Sequence, residues 1–395
     1  MNDHIYLDYN ATTPIDPRVV ETMQPYLTTH FGNPSSGHSF GQVTAAAVNH
    51  ARQQVADLLA CQPEEIIFTS GGSEANNLAI KGVVFASRRQ GNHIITSAVE
   101  HPAVSEICNW LASQGFEITT LPVDEFGIVN PDDVASAITD QTILITIMHA
   151  NNEVGSIQPI TDIAHLAHQN GIPFHTDAAQ SVGKIPANIP ELGVDLLSLA
   201  GHKIYAPKGI GALYVRDGLN LEKQIHGAGH EHELRAGTEN VPYIVGLGKA
   251  CEIIGLEGDS AEEHLRGLRD RLVEGLRQHQ PQLRVNGHPD RCLPNTASIS
   301  YPGIEANQII AGLKSVAASA GAACHAVVTP TEERRQACHA DRVDVSKVLR
   351  AMEVPEKIAM GTLRLSVGRF STSAEIDQAV GEISAAVEKL KTSQR

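Results

Sequence analysis

The stretch Ser198-Leu199-Ala200-Gly201-His202-Lys203 decides how this chain is read. It follows Phe174-His175-Thr176-Asp177-Ala178-Ala179-Gln180 at the distance one α/β unit would span. Asp195-Leu196-Leu197-Ser198-Leu199 has the apolar pattern of a buried strand and delivers Gly-His-Lys at its end, the place where open α/β sheets bind ligands. Taken alone, an Asp after an apolar strand is an ordinary turn or helix cap, and a lone Lys is an ordinary solvated charge. Presented together at neighbouring strand ends, a buried carboxylate and a lysine suggest pyridoxal phosphate. Lys203 would form a Schiff base with the cofactor aldehyde, and Asp177 would hold the pyridine nitrogen protonated so that the ring accepts electrons from a substrate carbanion.

Outward from these motifs the chain alternates. A helical pattern over residues 41–59 is followed by the strand-like Glu65-Ile66-Ile67-Phe68-Thr69, then by Ser70-Gly71-Gly72-Ser73-Glu74-Ala75-Asn76-Asn77 leading into an apolar helical stretch. Strand, Gly-rich turn and helix is the arrangement whose free N–H groups bind phosphate, although a short Gly-Gly-Ser also reads as a plain turn. Further strand-like segments stand at 93–96, 117–120, 142–148 and 172–175, with helical segments between several of them. The alternation predicts an α/β fold with a mostly parallel sheet covered by helices. From about residue 260 the pattern changes to a charged helix over 261–279, short strands at 296–300 and 316–318, and helices at 345–352 and 373–390. That predicts a large cofactor-binding domain over 1–259, with an N-terminal arm, and a smaller α+β domain over 260–395.

Composition sets the limits. A chain of 395 residues exceeds what one core usually supports, since single cores stop growing at roughly 250–300 residues. The net charge of −15 and the lack of a basic block argue against nucleic acid or an anionic membrane as main partners. The opening Met1-Asn2-Asp3-His4-Ile5-Tyr6 lacks a basic segment followed by an apolar one, and the longest apolar runs are strand-length, so a cytoplasmic protein is expected. The six cysteines (Cys61, Cys108, Cys251, Cys292, Cys324 and Cys338) are scattered, which predicts buried thiols rather than a disulfide framework.

Several motifs in fixed order give the chain a family resemblance. Tyr6-Leu7-Asp8-Tyr9-Asn10-Ala11-Thr12-Thr13-Pro14, Phe31-Gly32-Asn33-Pro34-Ser35-Ser36, the Asp177 and Lys203 segments, and Leu363-Arg364-Leu365-Ser366-Val367-Gly368-Arg369 resemble the class V, fold-type I pyridoxal phosphate enzymes, which include cysteine desulfurases and selenocysteine lyases. The resemblance runs over nearly the whole length and implies the fold-type I transferase fold. It implies that Lys203 is the Schiff-base lysine, that Asp177 pairs with the pyridine nitrogen, and that Gln180 donates to the cofactor's phenolic oxygen. It also implies that His101, in Val99-Glu100-His101-Pro102-Ala103-Val104, stacks on the pyridine ring and helps move protons. Gly72, Ser73 and His202 would meet the phosphate. Arg235-Ala236-Gly237-Thr238 matches a motif whose threonine reaches the phosphate of a neighbouring subunit, implying a homodimer with shared sites. One position departs: Ala200 stands where many related desulfurases carry a serine, which removes one expected hydrogen bond to the phosphate.

The resemblance makes the substrate an α-amino acid, with Arg364 forking onto its carboxylate and with Asn33 and Asn152 orienting it. Cys324, in Ser319-Ala320-Gly321-Ala322-Ala323-Cys324-His325, stands where desulfurases carry their nucleophile. With an ordinary pKa near 8.5 it is only about 3% thiolate at neutral pH, so it needs local or substrate activation. The polar segment 327–344, which contains Cys338-His339, reads as a loop able to carry Cys324 between the cofactor and a sulfur- or selenium-acceptor protein. Metal binding by the two Cys-His pairs matches no zinc spacing. The implied reaction is desulfuration of L-cysteine to L-alanine, with L-selenocysteine lyase as the alternative on the same residues. Plain β-elimination releasing sulfide is a further enzymatic option that needs no cysteine nucleophile. A non-catalytic sulfur-relay scaffold would be signalled by loss of Lys203 or Asp177, and both are present.

Overall fold

The computed structural model describes residues 4–320 and 345–393. Its centre is a seven-stranded sheet built from β2 (Ile66–Thr69), β3 (His93–Ser97), β4 (Glu117–Leu121), β5 (Thr142–Thr146), β6 (Phe174–Asp177), β7 (Leu196–Ala200) and β8 (Gly211–Val215). The strand order is β2-β8-β7-β6-β5-β3-β4. All neighbours pair in parallel except β8, which is antiparallel to both β2 and β7.

Alternating side chains of the same strands enter two different cores. Phe68, Ile95, Ile145, Phe174 and Leu197 pack on one face, while Ile67, Ile94, Leu144, Leu196 and Leu213 pack on the other. A sheet buried on both faces needs continuous apolar runs, which is why β3 and β5 read His-Ile-Ile-Thr-Ser and Thr-Ile-Leu-Ile-Thr with every residue buried. Helices α1 (Pro17–Thr28), α2 (Ser39–Leu59), α3 (Gly72–Ser87) and α4 (Pro102–Ser113) belong to these layers: Val19, Met23, Val48 and Val55 of α1 and α2 join the first face, and Leu78, Val83, Val104 and Leu111 of α3 and α4 the second.

A second sheet of four strands has the order β12-β13-β10-β9, with β9 at Arg284–Asn286, β10 at Thr296–Ser300, β12 at Ser319–Ala320 and β13 at Thr362–Ser366. All its pairings are antiparallel. Its core includes Ile299, Leu363 and Leu365 with Ile376, Ile383 and Val387 of the C-terminal helix Ser373–Ser393. The N-terminal strand β1 (Ile5–Tyr6) pairs in parallel with β11 (Val316–Ala317), which ties the arm to this second region.

One 39-residue helix, Val241–His279, joins the two cores. Ile244, Leu247 and Ile253 of its first half enter the first core, and Leu265, Leu268, Leu272 and Leu276 of its second half enter the other. The sequence expectation began this helix at 261. Its first half is interrupted by Gly246 and Gly248, residues that weaken a helix taken alone. Packing reverses that reading: a Cβ on Gly248 would lie 2.6 Å from the Ala51 Cα, and one on Gly246 would lie 2.6 Å from the Met23 sulfur. The glycines are the contact surface for α1 and α2. No helix among the described residues is long and apolar enough to cross a membrane.

Candidate functional site

Because β8 is antiparallel to both β2 and β7, strands β2, β3, β5, β6 and β7 all end at the same edge of the sheet. The chain leaving that edge supplies Gly72 and Ser73 after β2, His101 after β3, Asn152 after β5, Asp177 and Gln180 at β6, and His202 and Lys203 after β7. All of these line one cavity of about 350 Å³, completed by Asn10, Ala11, Asn76, Ala103, Met148, Ala150, Ala179, Ala200 and Arg364. That volume falls within the roughly 300–1,000 Å³ of small-molecule sites.

Asp177 is buried and accepts hydrogen bonds on both oxygens, from Asn76 Nδ2 at 2.7 Å and from the Ala179 N–H at 3.0 Å. Two residues earlier, on the same side of the pleat, His175 bridges Thr146 Oγ1 of β5 at 2.8 Å and Ser198 Oγ of β7 at 2.9 Å. Burial pushes the His175 ring down to about 4, so it is neutral at physiological pH. Glu100 accepts from Ser97 Oγ at 2.6 Å and the Met148 N–H at 2.9 Å on one oxygen, while the other is buried without a partner. Burial raises its pKa to about 8, with the Asp177 charge adding to the effect. The environment therefore keeps Glu100 protonated beside an Asp177 surrounded by donors.

Lys203 follows β7 in the short turn Gly201–Lys203. Its Nζ donates to the carbonyls of Asn10 at 2.5 Å and Ala11 at 2.8 Å. The Asn10 carbonyl also accepts from Gln180 Nε2 at 3.0 Å, and the Asn10 side chain reaches Thr296 and Asn295 beside the second sheet. Lys184, four residues beyond Gln180, donates from its buried Nζ to Gln180 Oε1 at 2.8 Å. Arg364 lies on β13 and is buried; it donates to Asp8 Oδ1 at 2.8 Å and the Asn152 carbonyl at 3.3 Å, while its Nε is buried without a partner.

At the end of the cavity lined by the start of α3, Gly72 and Ser73 open that 16-residue helix after Gly71, whose φ of +149° suits glycine. His202 contacts Thr12 Oγ1 at 3.2 Å, and burial pushes its pKa down to about 4. His101 is the N-cap of α4, with Nδ1 accepting from the Ala103 N–H at 3.1 Å. That fixes Nδ1 as the acceptor of the ring.

Two residues of the expected set do not line this cavity, one of them, Thr238, being expected to serve a partner's phosphate rather than its own. Asn33 is exposed, closes a local turn by accepting from the Ser35 N–H at 2.9 Å, and does not line the cavity. Thr238 is likewise exposed and outside the lining, although Arg235 of its motif pairs with Glu74 in the first turn of α3 at 2.9 Å. Cys324, Cys338 and the segment 327–344 lie outside the described residues. Sequence reasoning missed Asn10, Asn76, Lys184, His175 and Asp8. The i, i+3 spacing of Ser73 and Asn76 on the start of α3 was the available signal for Asn76, since it puts both on one helix face.

The chain matches the class-V aminotransferase family model over residues 5–379. It belongs to that family. It is 46% identical to the cysteine desulfurase IscS of Methanosarcina thermophila over 99% of this chain and 93% of the relative. It is 43% identical to the cysteine desulfurase IscS of Klebsiella pneumoniae over 98% of this chain and 93% of that one. Among solved structures, a NifS-like protein superposes with a TM-score of 0.88 at 34% identity, covering 98% of this chain and 99% of the other. SspA in complex with cysteine superposes with a TM-score of 0.78 at 36% identity, covering 93% of this chain and 99% of that one. The fold-type I expectation therefore stands, with a mixed, mostly parallel sheet as its centre.

The donor set fits pyridoxal phosphate. An amine, a carboxylate already bedded in hydrogen bonds, and a helix N-terminus converge on one cavity, and the guanidinium beside them keeps a buried donor unused. Those are the groups required by an aldehyde, a pyridine nitrogen, a phosphate and a substrate carboxylate respectively.

Proposed function

We propose that this chain is a pyridoxal phosphate-dependent cysteine desulfurase that converts L-cysteine to L-alanine and leaves the sulfur on Cys324 as a persulfide. The observation that carries the reading is the convergence of Lys203, Asp177 and buried Arg364 on one cavity, in a chain of this identity to proteins named as cysteine desulfurases. Bound there, the cofactor supplies an electron sink for the charge left on the substrate when its Cα proton is removed.

Lys203 would hold the cofactor and, once released by the incoming amine, take the Cα proton on Nζ. The Asn10 and Ala11 carbonyls that accept from Nζ give the freed lysine a fixed position. Asp177 keeps its proton partner charged, held in orientation by Asn76. Arg364 binds the substrate carboxylate by exchanging it for Asp8 and the Asn152 carbonyl. The Cys324 thiolate then attacks the substrate sulfur: the S–S bond forms, the substrate C–S bond breaks, and the carbon takes a proton to give alanine. His202, Gly72 and Ser73 would hold the phosphate, His101 the ring face, and Gln180 the phenolic oxygen.

The same proposal includes a cytoplasmic homodimer in which Thr238 serves the partner's phosphate. It also includes a sulfur-acceptor protein that discharges Cys324, with iron–sulfur cluster assembly as the expected use, and a division of labour between residues 1–259 and 260–395. Exposure of Thr238 outside its own cavity supports the shared site.

The test is turnover of L-cysteine and L-selenocysteine side by side, with alanine and protein persulfide measured in the wild type, Cys324→Ala and Cys338→Ala. Alanine from cysteine that is lost with Cys324→Ala and kept with Cys338→Ala is the expected result. Full cysteine turnover in Cys324→Ala places the nucleophile elsewhere. Activity confined to selenocysteine makes the chain a selenocysteine lyase.

A further inference from the structure

A buried lysine that the reaction does not use sits beneath the site. Lys184 lies four residues after Gln180 and is 9% exposed, and its Nζ donates to Gln180 Oε1 at 2.8 Å. A lysine is not buried without a reason, and no carboxylate pairs with it among the described residues. Burial pushes its pKa well down, and the cations Lys203 and Arg364 add to the effect. The placement costs stability, so what it accomplishes has to be sought in the contact it makes.

In this contact Nζ is the donor, and an amide has one accepting and one donating end. A donor at Gln180 Oε1 therefore settles which way the amide points. The Nε2 end is turned away from Lys184, where one N–H meets the Asn10 carbonyl at 3.0 Å. The other N–H is left for whatever occupies the cavity that Gln180 lines. Without Lys184, Oε1 loses its donor and the amide is held in this sense by the Asn10 carbonyl alone, so the alternative with Oε1 toward the cavity, which would repel an anionic oxygen there, becomes less costly.

We propose that Lys184 is a positioning residue that locks the Gln180 amide with its donor end toward the cavity, and so fixes the hydrogen bond available to an anionic ring oxygen of the cofactor. The inference rests on the pyridoxal phosphate reading and adds a residue to it. It predicts an asymmetry that a plain packing role does not: the lysine is costly for the fold and needed for the site.

The experiment uses the full-length protein with pyridoxal phosphate. Lys184→Met, which keeps the length and removes the donor, is expected to release the cofactor roughly tenfold faster, the scale of one lost hydrogen bond to a charged group. Its visible absorption band should also shift, whereas the thermal midpoint of the cofactor-stripped protein should be equal to or higher than that of the wild type. In a Gln180→Leu background the Lys184 substitution should change neither release rate nor band, because there is no amide left to orient. Lys184→Gln, whose own amide can face Gln180 in either sense, should fall between, and it serves as the readout if Lys184→Met does not fold. Unchanged release and spectrum in the folded variants overturn the proposal. So do effects that persist undiminished beside Gln180→Leu, which would assign Lys184 to packing. Failure of the wild type itself to take up pyridoxal phosphate would instead overturn the functional reading.

Discussion

Asp177 and Arg364 face the same cavity from two different sheets, and they are held in different ways. Asp177 ends β6 in the middle of the seven-stranded sheet, where every neighbour is a strand end or the start of α3, and both its oxygens are occupied by Asn76 and the Ala179 N–H. Arg364 is on β13, where its partners come from the arm (Asp8) and from the turn after β5 (Asn152), and one of its buried donors has none. The first arrangement is complete before any ligand arrives; the second has a partner to give up. A cofactor that stays bound suits the first and a substrate that comes and goes suits the second, because preorganised groups cost nothing to rearrange at the moment of reaction.

The largest expected effect breaks the closed side. Lys203→Ala should abolish the yellow, borohydride-reducible linkage to pyridoxal phosphate and lower turnover by at least 10²–10⁴-fold, the usual contribution of a general base. A variant that keeps the reducible linkage would show that another amine holds the cofactor. Asp177→Asn comes next. It keeps the shape but removes the charge and turns one end into a donor facing Asn76 Nδ2, so cofactor retention and turnover should both fall by orders of magnitude. Equal turnover in this variant would remove the pyridine-nitrogen role.

The open side should respond differently. Arg364→Lys loses the two-pronged geometry but keeps the charge, and kcat/KM for cysteine should fall about 10–100-fold, the range of one or two charged hydrogen bonds, mostly through KM and with the cofactor spectrum intact. Asp8→Asn should have a smaller effect of opposite sign on KM, lowering it a few-fold, since the anion competing for the guanidinium at 2.8 Å is gone. If Asp8→Asn instead raises KM, Asp8 aligns the arginine rather than guarding it, and the comparison between the two walls has to be redrawn.

The closed side was also the more legible in the sequence. Asp177 and Lys203 are visible because each follows an apolar strand by a fixed step, and period and position are local properties. Arg364 was identified only by resemblance: β13 is flanked by strands from elsewhere in the chain, Ser298 and Ser319, which pair with Arg364 itself, and no local pattern announces such a pairing. Strand β8 went unread for a related reason, since Gly211-Ala212-Leu213-Tyr214-Val215 follows a glycine-rich turn and returns antiparallel within a parallel pattern. The Gly248 contact with α2 shows the same limit in a helix: a residue that weakens the element alone is required by what it touches. Asn10 was quoted in its motif but given no role, because its partners Lys203, Gln180 and Thr296 are joined only by the fold.

The smallest expected effect tests whether the closed side is a neutral scaffold around its one working carboxylate. His175 is fully buried between Thr146 and Ser198, and its pKa falls from 6.5 to about 4 through burial. The unfolded chain takes up this proton below about 6.5 while the folded chain does not, so the associated stability is complete above about 6.5 and is lost as pH falls toward 4. Its size is at most about 3 kcal/mol, from 1.36 kcal/mol per pKa unit. His149 and His202, also pushed down to about 4 by burial, add to the same slope, so the total acid response does not isolate His175. The difference from His175→Gln does. That variant should be less stable than the wild type at pH 8, because an amide replaces the ring whose two nitrogens reach Thr146 and Ser198, yet it should lose less stability between pH 6.5 and 4. Denaturant unfolding at a series of pH values measures both. Two curves that fall in parallel would mean that His175 is protonated in the folded protein, and the bridge between β5 and β7 would then carry a charge two residues from Asp177.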